Sequence, residues 1–337
     1  MKKEIVVGIL GAGRIGKVHT ESIVTGVPGV RIKTIADPFM NDETAEWAKS
    51  MGVELVSKDP ADVFSDNDID AVLICSSTDT HAEFTRKAAE AGKHIFCEKP
   101  LDLDVNRIRE TLAIVEKAGV KFQIGFNRRF DHNFMAVRKA VEDGRIGEPH
   151  IIRVTSRDPE PPNPAYIGVS GGIFMDMTIH DFDMVRYLSG SEIEEVYVQG
   201  AVLVDPEIGK AGDIDTAVIT LKMENGAIAV IDNSRKAVYG YDQRAEVFGS
   251  GGAVATSNDA PSTAVLSNAD GITAEKPLFF FLERYMDSFS LEMKQFVEAL
   301  RSGGETPVGQ IDALRPVQIA IAARKSLEEG RPVKVEK

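Results

Sequence analysis

The stretch Gly11-Ala12-Gly13-Arg14-Ile15-Gly16 follows directly on the apolar, β-branched run Ile5-Val6-Val7-Gly8-Ile9-Leu10. That run reads as a buried parallel strand, and Lys17 to Val24 has helical character. Glycines at a strand-to-helix turn aim free backbone N–H groups and the positive end of the helix dipole at one point. A diphosphate is the natural guest there. Glycine is common in turns, so the spacing alone is a weak signal. Context strengthens it: a second β-rich run, Val30 to Ala36, ends in Asp37, 21 residues beyond Gly16. That distance suits a carboxylate that accepts hydrogen bonds from an adenosine ribose. The competing reading is a tight strand-helix turn with no ligand.

The same carboxylate indicates the cofactor. Asp37 repels a 2′-phosphate, and Pro38 stands where an arginine would hold one. NAD is therefore expected rather than NADP.

Further along, strands are predicted at Val53–Val56, Asp70–Cys75, Lys93–Cys97 and Val120–Gly125, with helices at Asn41–Met51, His81–Ala91 and Asp104–Ala118 between them. This alternation means βαβ units and a doubly wound parallel sheet over residues 1–125. Ligands bind beyond the carboxyl ends of such strands. Asp37, Ser76 to Thr78, Glu98-Lys99 and Asn127-Arg128 all follow strand ends, so they gather with the glycine loop. His81, a lone histidine in this half, reads as a packing or capping residue as readily as a cofactor contact.

Residues 126–337 have a different character. A helix is expected at Phe134–Asp143, and a strand at Ile151–Thr155 leads into the proline-rich stretch 157–164, an ordered loop or a lid. Ile173 to Leu188 has helical spacing. The β runs Glu195–Leu203, Thr216–Met223, Ala227–Ser234, Gln243–Phe248 and Gly252–Ser257 lack intervening long helices, which predicts an antiparallel or mixed open sheet. Helices are expected at Phe281–Arg301 and Asp312–Glu329. The chain thus reads as a dinucleotide domain followed by an α+β substrate and oligomerisation domain, with its last helix free to pack back on the first.

Two places carry residues suited to catalysis. Asp176 and His180 are four apart in a helical segment and share a face. A carboxylate beside an imidazole is the arrangement of a positioned general base. A helix-terminal acid with a satisfied core histidine, or a metal site, are the other readings. Lys99 follows a strand and precedes Pro100. Such a lysine can stabilise a developing alkoxide, or can simply pair with Glu98 at the surface.

The formal charge of −13 argues against nucleic acid and anionic membrane as partners. Lys2 and Lys3 before an apolar run imitate a leader peptide, but the apolar run is short, Arg14 comes soon after it, and no small-residue cleavage site appears. No apolar run is long enough to span a bilayer. Cys75 and Cys97 read as small buried hydrophobes, which fits a reducing cytoplasm.

The motifs Ala12 to Gly16, Ser76-x-Thr78-x-Thr80-His81, Glu98-Lys99-Pro100 and Gly125-Phe126-Asn127-Arg128-Arg129-Phe130-Asp131 resemble the glucose–fructose oxidoreductase/inositol dehydrogenase (Gfo/Idh/MocA) family. Ser156-Arg157-Asp158-Pro159 and Gly171-Gly172-Ile173-Phe174-x-Asp176-x-x-Ile179-His180-Asp181-Phe182-Asp183 resemble its inositol 2-dehydrogenase branch, and the likeness runs nearly end to end. The resemblance implies a Rossmann domain that binds NAD through Gly11, Gly13, Arg14, Ile15, Gly16, Asp37, Ser76, Thr78, His81, Glu98, Lys99 and Arg128. It implies Lys99, Asp176 and His180 as the catalytic set, with Asn127, Arg128, Ser156, Asp158 and Tyr239 also meeting a cyclitol substrate; Tyr241 and Tyr285 are further candidates for the pocket. It implies no metal and a homotetramer built through the C-terminal sheet. Other members of that branch carry His and Asn where this chain has Ser156 and Asp158, so the isomer stays open. A related sugar oxidation, or an NAD-binding sensor without catalysis, are the alternatives.

Overall fold

The computed structural model describes residues 4–336. The chain forms two compact units, one running to Phe130 and taking in Met286–Arg315, the other comprising Asp131–Tyr285 and the chain from Pro316 onward.

In the first unit, strands β1 (Ile5–Leu10), β2 (Val30–Ala36), β3 (Leu55–Ser57), β4 (Ala71–Ile74), β5 (His94–Glu98) and β6 (Phe122–Gly125) make one sheet in the order β3-β2-β1-β4-β5-β6. Every pair in it is parallel, as the alternation of strands and helices predicts. The strand order reverses between β1 and β4, the place where such a sheet opens a crevice for a dinucleotide. Every residue of β1 is buried, which is why it reads as an unbroken apolar run rather than an alternating one.

Local chemistry sets the connecting helices. Asn41 caps Asp42–Ser50 by accepting the Thr44 N–H at 2.8 Å, and Asp104 caps Val105–Ala118 through the Asn106 N–H at 2.8 Å. The amphipathic stretch expected as one helix over Phe281–Arg301 is two, Phe281–Arg284 and Met286–Ser302, broken at the buried Tyr285. The longer piece packs on helix Arg14–Gly26, with Met293, Phe296 and Val297 in one cluster with Val7, Ile9 and Ile23. The chain then closes the open edge of β6, where the Ile124 N–H donates to the Val308 carbonyl at 3.1 Å.

The second unit is built on β7 (Pro149–Arg157), β8 (Ile193–Ala201), β9 (Thr216–Met223), β10 (Ile228–Ser234), β11 (Asp242–Gly249), β12 (Gly252–Ala255) and β15 (Val333–Lys334), ordered β12-β11-β7-β10-β9-β8-β15; β13 (Val265–Asn268) and β14 (Gly271–Ala274) form a separate hairpin. β7 and β10 are parallel and the other pairs antiparallel, so the sheet is mixed. Helix Thr178–Ser189 packs on β7 and β10, and His132–Glu142 on β11. Burial alternates along β9, β10 and β11, and the other face shows Val218, Ile228 and Phe248 to solvent.

Candidate active site

The glycine loop is shaped by close backbone approach. Gly11 has φ +99°, and a Cβ there would lie 2.6 Å from the Cys75 carbonyl oxygen at the end of β4. A Cβ on Gly16 would meet the Gly11 oxygen at 2.0 Å, whereas one on Gly13 would meet nothing within 4 Å. The loop is therefore tight at both ends and open in the middle. Helix Arg14–Gly26 starts there with no side chain capping it, so the positive end of its dipole is directed at the loop, where an anion is stabilised. Arg14 is exposed and Ile15 half-buried beside them.

Asp37 is tied to this loop. Its Oδ2 accepts the Ala12 N–H at 2.7 Å and its Oδ1 the Phe39 N–H at 2.8 Å. A carboxylate oxygen has a second lone pair, so both stay competent to accept ribose hydroxyls. The bare loop, the uncapped helix start and this fixed acid fit a dinucleotide diphosphate and adenosine ribose.

The remaining strand ends of the first unit carry the other candidates. Ser76 and Thr80 share a 2.6 Å hydrogen bond, with Thr78 opening the helix Thr78–Glu90. His81 is buried between two carbonyls, Pro100 at 2.8 Å from Nδ1 and Ser76 at 3.0 Å from Nε2. Burial lowers its pKa, with the carbonyls acting the other way. His81 thus braces the loop after β4 against the one after β5. Glu98 is buried and meets the imidazole of His19 at 2.6 Å, while the Lys99 N–H reaches its other oxygen at 3.3 Å. Lys99 is half-buried. Asn127 and Arg128 lie buried in a 3-10 turn, Asn127–Phe130.

The second unit holds the acid and the histidine. The helical segment breaks at Met177 into Gly172–Asp176 and Thr178–Ser189, and the His180 N–H bonds the Met177 oxygen three residues back. Asp176 and His180 therefore straddle a junction rather than one uniform helix. Asp176 Oδ1 accepts the Tyr166 hydroxyl at 3.2 Å, and its Oδ2 lies 2.9 Å from the guanidinium of Arg235. A bound cation on that oxygen competes with any metal there, which weighs against the metal reading.

Asp158 lies 3.3 Å from the same guanidinium, and the Ser156 hydroxyl donates to Gln243 Oε1 at 3.1 Å. The Tyr239 hydroxyl donates to Asp242 at 2.6 Å and accepts from Arg157 at 2.9 Å. Burial, then Asp242, raises the tyrosine pKa, so it stays a hydrogen-bonding phenol. Tyr241 and Tyr285 are buried with ring centroids 6.0 Å apart. Asp183 and Arg186 turn inward, Arg186 bridging on to Glu192 at 2.7 Å. Arg235 and Tyr166 are contacts of Asp176 that the sequence reading missed. The available signal for Arg235 was its place directly after a predicted strand.

Two family models match the chain. The oxidoreductase family with an NAD-binding Rossmann fold covers residues 5–126, and the GFO/IDH/MocA C-terminal domain covers residues 134–255. The chain is 50% identical over 330 residues to a myo-inositol 2-dehydrogenase of Thermotoga maritima, covering 98% of each. It is 47% identical to an inositol 2-dehydrogenase of Rhizobium meliloti, covering 97% of this chain and 98% of that one. It superposes on the crystal structure of a scyllo-inositol dehydrogenase from Lactobacillus casei, determined with NAD(H) and scyllo-inositol bound, with a TM-score of 0.91, 31% identity and 99% coverage of both chains.

Proposed function

The chain belongs to the Gfo/Idh/MocA oxidoreductases, NAD-binding enzymes, and from that premise we propose that it oxidises a secondary alcohol of a cyclitol, myo-inositol to 2-keto-myo-inositol (scyllo-inosose). The observation that carries this reading is the near end-to-end likeness to the myo-inositol 2-dehydrogenase, together with Lys99, Asp176 and His180.

The roles follow from their chemistry. His180 takes the hydroxyl proton as general base. Asp176 fixes the imidazole and stabilises its charged form. Lys99 donates to the same oxygen and stabilises the developing alkoxide. The chemistry that a bound NAD supplies is acceptance of the hydride from the ring carbon. Gly11, Gly13 and Gly16 with the helix start hold its diphosphate, and Asp37 its ribose. Arg14, Ile15, Ser76, Thr78, His81, Glu98 and Arg128 complete the cofactor side. Asn127, Arg128, Ser156, Asp158 and Tyr239 complete the substrate side. In this reading the first unit, which runs to Phe130 and takes in Met286–Arg315, binds NAD, and the second binds substrate and assembles the oligomer.

The likeness to a scyllo-inositol dehydrogenase supports a second reading, another isomer of the same ring. NADH formation measured by absorbance across inositol isomers and aldoses separates the two. No cyclitol turning over would end both. A homotetramer formed through the exposed sheet face is part of the proposal, supported by Val218, Ile228 and Phe248 on that face; light scattering that returns a monomer would remove it. A cytoplasmic setting is supported by two unpaired, buried cysteines. Among the described residues no helix is long and apolar enough to cross a membrane.

A further inference from the structure

Arg235 follows directly on β10 and is 4% exposed. Its Nη2 lies 2.9 Å from Asp176 Oδ2, and its Nη1 lies 3.3 Å from Asp158 Oδ2. One buried guanidinium thus joins the carboxylate assigned to orient the base to a carboxylate assigned to read the ring.

Both ends of the bridge are fixed by backbone. The Arg235 N–H donates to the Asp215 carbonyl at 2.8 Å. The Asp158 N–H donates to the Ser234 carbonyl at 2.9 Å, and the Asp158 carbonyl accepts the Ala237 N–H at 2.7 Å. Arginine suits the place, because its planar fork can meet two carboxylates and keeps its charge when buried. Burial works against that charge, but the two acids outweigh it and the pKa lies above the ordinary value.

We propose that Arg235 is a positioning residue for the oxidation: it holds Asp176 in one orientation for His180, and it couples that orientation to Asp158. The proposal rests on the function argued above and deepens it. Proton abstraction and recognition of the ring then share one side chain, so a substrate that displaces Asp158 also disturbs the base.

Other charged groups on the elements packed around Asp176 and His180 have their own partners. Asp181 accepts from Asn233 at 2.9 Å, and Arg186 meets Asp183 at 3.5 Å and Glu192 at 2.7 Å. On β7, Arg157 pairs with Asp232 of β10, and Arg153 with Glu246 at 3.1 Å. On helix His132–Glu142, Arg138 pairs with Glu142 at 2.7 Å and Lys139 with Asp143 at 3.0 Å. On helix Pro164–Ser170, Tyr166 donates to Asp176.

The sign follows from Coulomb's law. Taking a cation from this bridge leaves the negative charge of the two acids around His180 uncompensated, which raises the His180 midpoint. The test uses the full chain with labelled histidines, R235M and R235K, and two readouts: the NMR titration of His180, assigned by its loss in H180A, and the pH profile of kcat/KM. R235M is expected to raise the His180 midpoint by about half a unit or more, to move the acid limb of kcat/KM upward with it, and to lower kcat roughly 10²-fold. R235K is expected to keep the wild-type midpoint. A purely structural role would reduce the folded fraction without moving the midpoint. A folded R235M that titrates like wild type overturns the proposal. Should R235M fail to fold, D158N carries the test with opposite sign: loss of an anion lowers the His180 midpoint, and an unmoved midpoint overturns the proposal. A wild type that oxidises no cyclitol overturns the function reading instead, while the titration still decides on Arg235.

Discussion

The imidazole Nε2 of His19 lies 2.6 Å from Oε1 of Glu98, with His19 fully buried and Glu98 8% exposed. His19 is packed edge-on against Phe96 and Phe289, at centroid distances of 4.9 Å and 5.5 Å. Its Nδ1 has no hydrogen-bond partner, which is least costly if Nε2 carries the proton toward Glu98. Replacing His19 with Leu removes the donor and leaves a carboxyl in an apolar interior. Losing a hydrogen bond to a charged group costs about 1.5–3 kcal/mol. H19L is expected to melt several degrees lower, and E98Q to lose less because the amide keeps the volume. Equal melting of H19L and wild type would show the pair to be energetically idle.

Glu292 lies in the same unit, on the helix that carries Phe289. It is fully buried, neither carboxylate oxygen has a partner, and its pKa is pushed well above the usual range, first by burial and then by Glu98. The folded chain therefore holds a proton there more tightly than the unfolded chain does. With more protons bound when folded, stability falls as pH rises from the unfolded carboxyl value toward the folded one. E292Q removes this loss. Denaturant melts between pH 5 and pH 8 should show a steeper decline for wild type than for E292Q. Parallel curves would mean that Glu292 is ionised in the folded state.

How much of this was legible in the sequence depends on the range of the interaction. The first sheet was readable because β1, the glycines and Asp37 are local signals in a fixed order. The mixed sheet was readable as a class. Its parallel β7–β10 pairing was not, because alternation along a strand says which face is buried and not which neighbour it pairs with. Helix Met286–Ser302 declared an apolar stripe but not that it would lie on Arg14–Gly26. Glu98 was legible as a strand-end residue, but that His19 and Glu292 come to it was not, since neither sits in a local motif. Arg235 was passed over for the same reason: its significance lies in two acids brought to it by the ends of other elements.

Asp37 gives a test of cofactor choice. Its two oxygens already fix the Ala12 and Phe39 N–H groups, so the acid both shapes the loop and faces the ribose in the proposed mode. D37S removes the charge that repels a 2′-phosphate. It is expected to lower kcat/KM for NAD by about 10-fold or more, in line with roughly 1.5–3 kcal/mol for hydrogen bonds to a charged group. The NADP/NAD ratio of efficiencies should rise at the same time. Higher efficiency of wild type with NADP would sink the assignment of Asp37.

His180 is the sharpest test of the proposed chemistry. It stands just past the break at Met177, half-buried, while its neighbours Ile179 and Phe182 are fully buried and hold the helix in place. H180Q should therefore fold normally and leave NAD affinity by calorimetry close to wild type, because none of the glycine loop is touched. Loss of a general base lowers turnover by about 10²–10⁴-fold. The acid limb of kcat/KM, which reports protonation of the base, should vanish in the variant while the residual rate depends only weakly on pH. Turnover that survives H180Q unchanged would remove His180 from the reaction and leave Lys99 as the residue to examine for proton transfer.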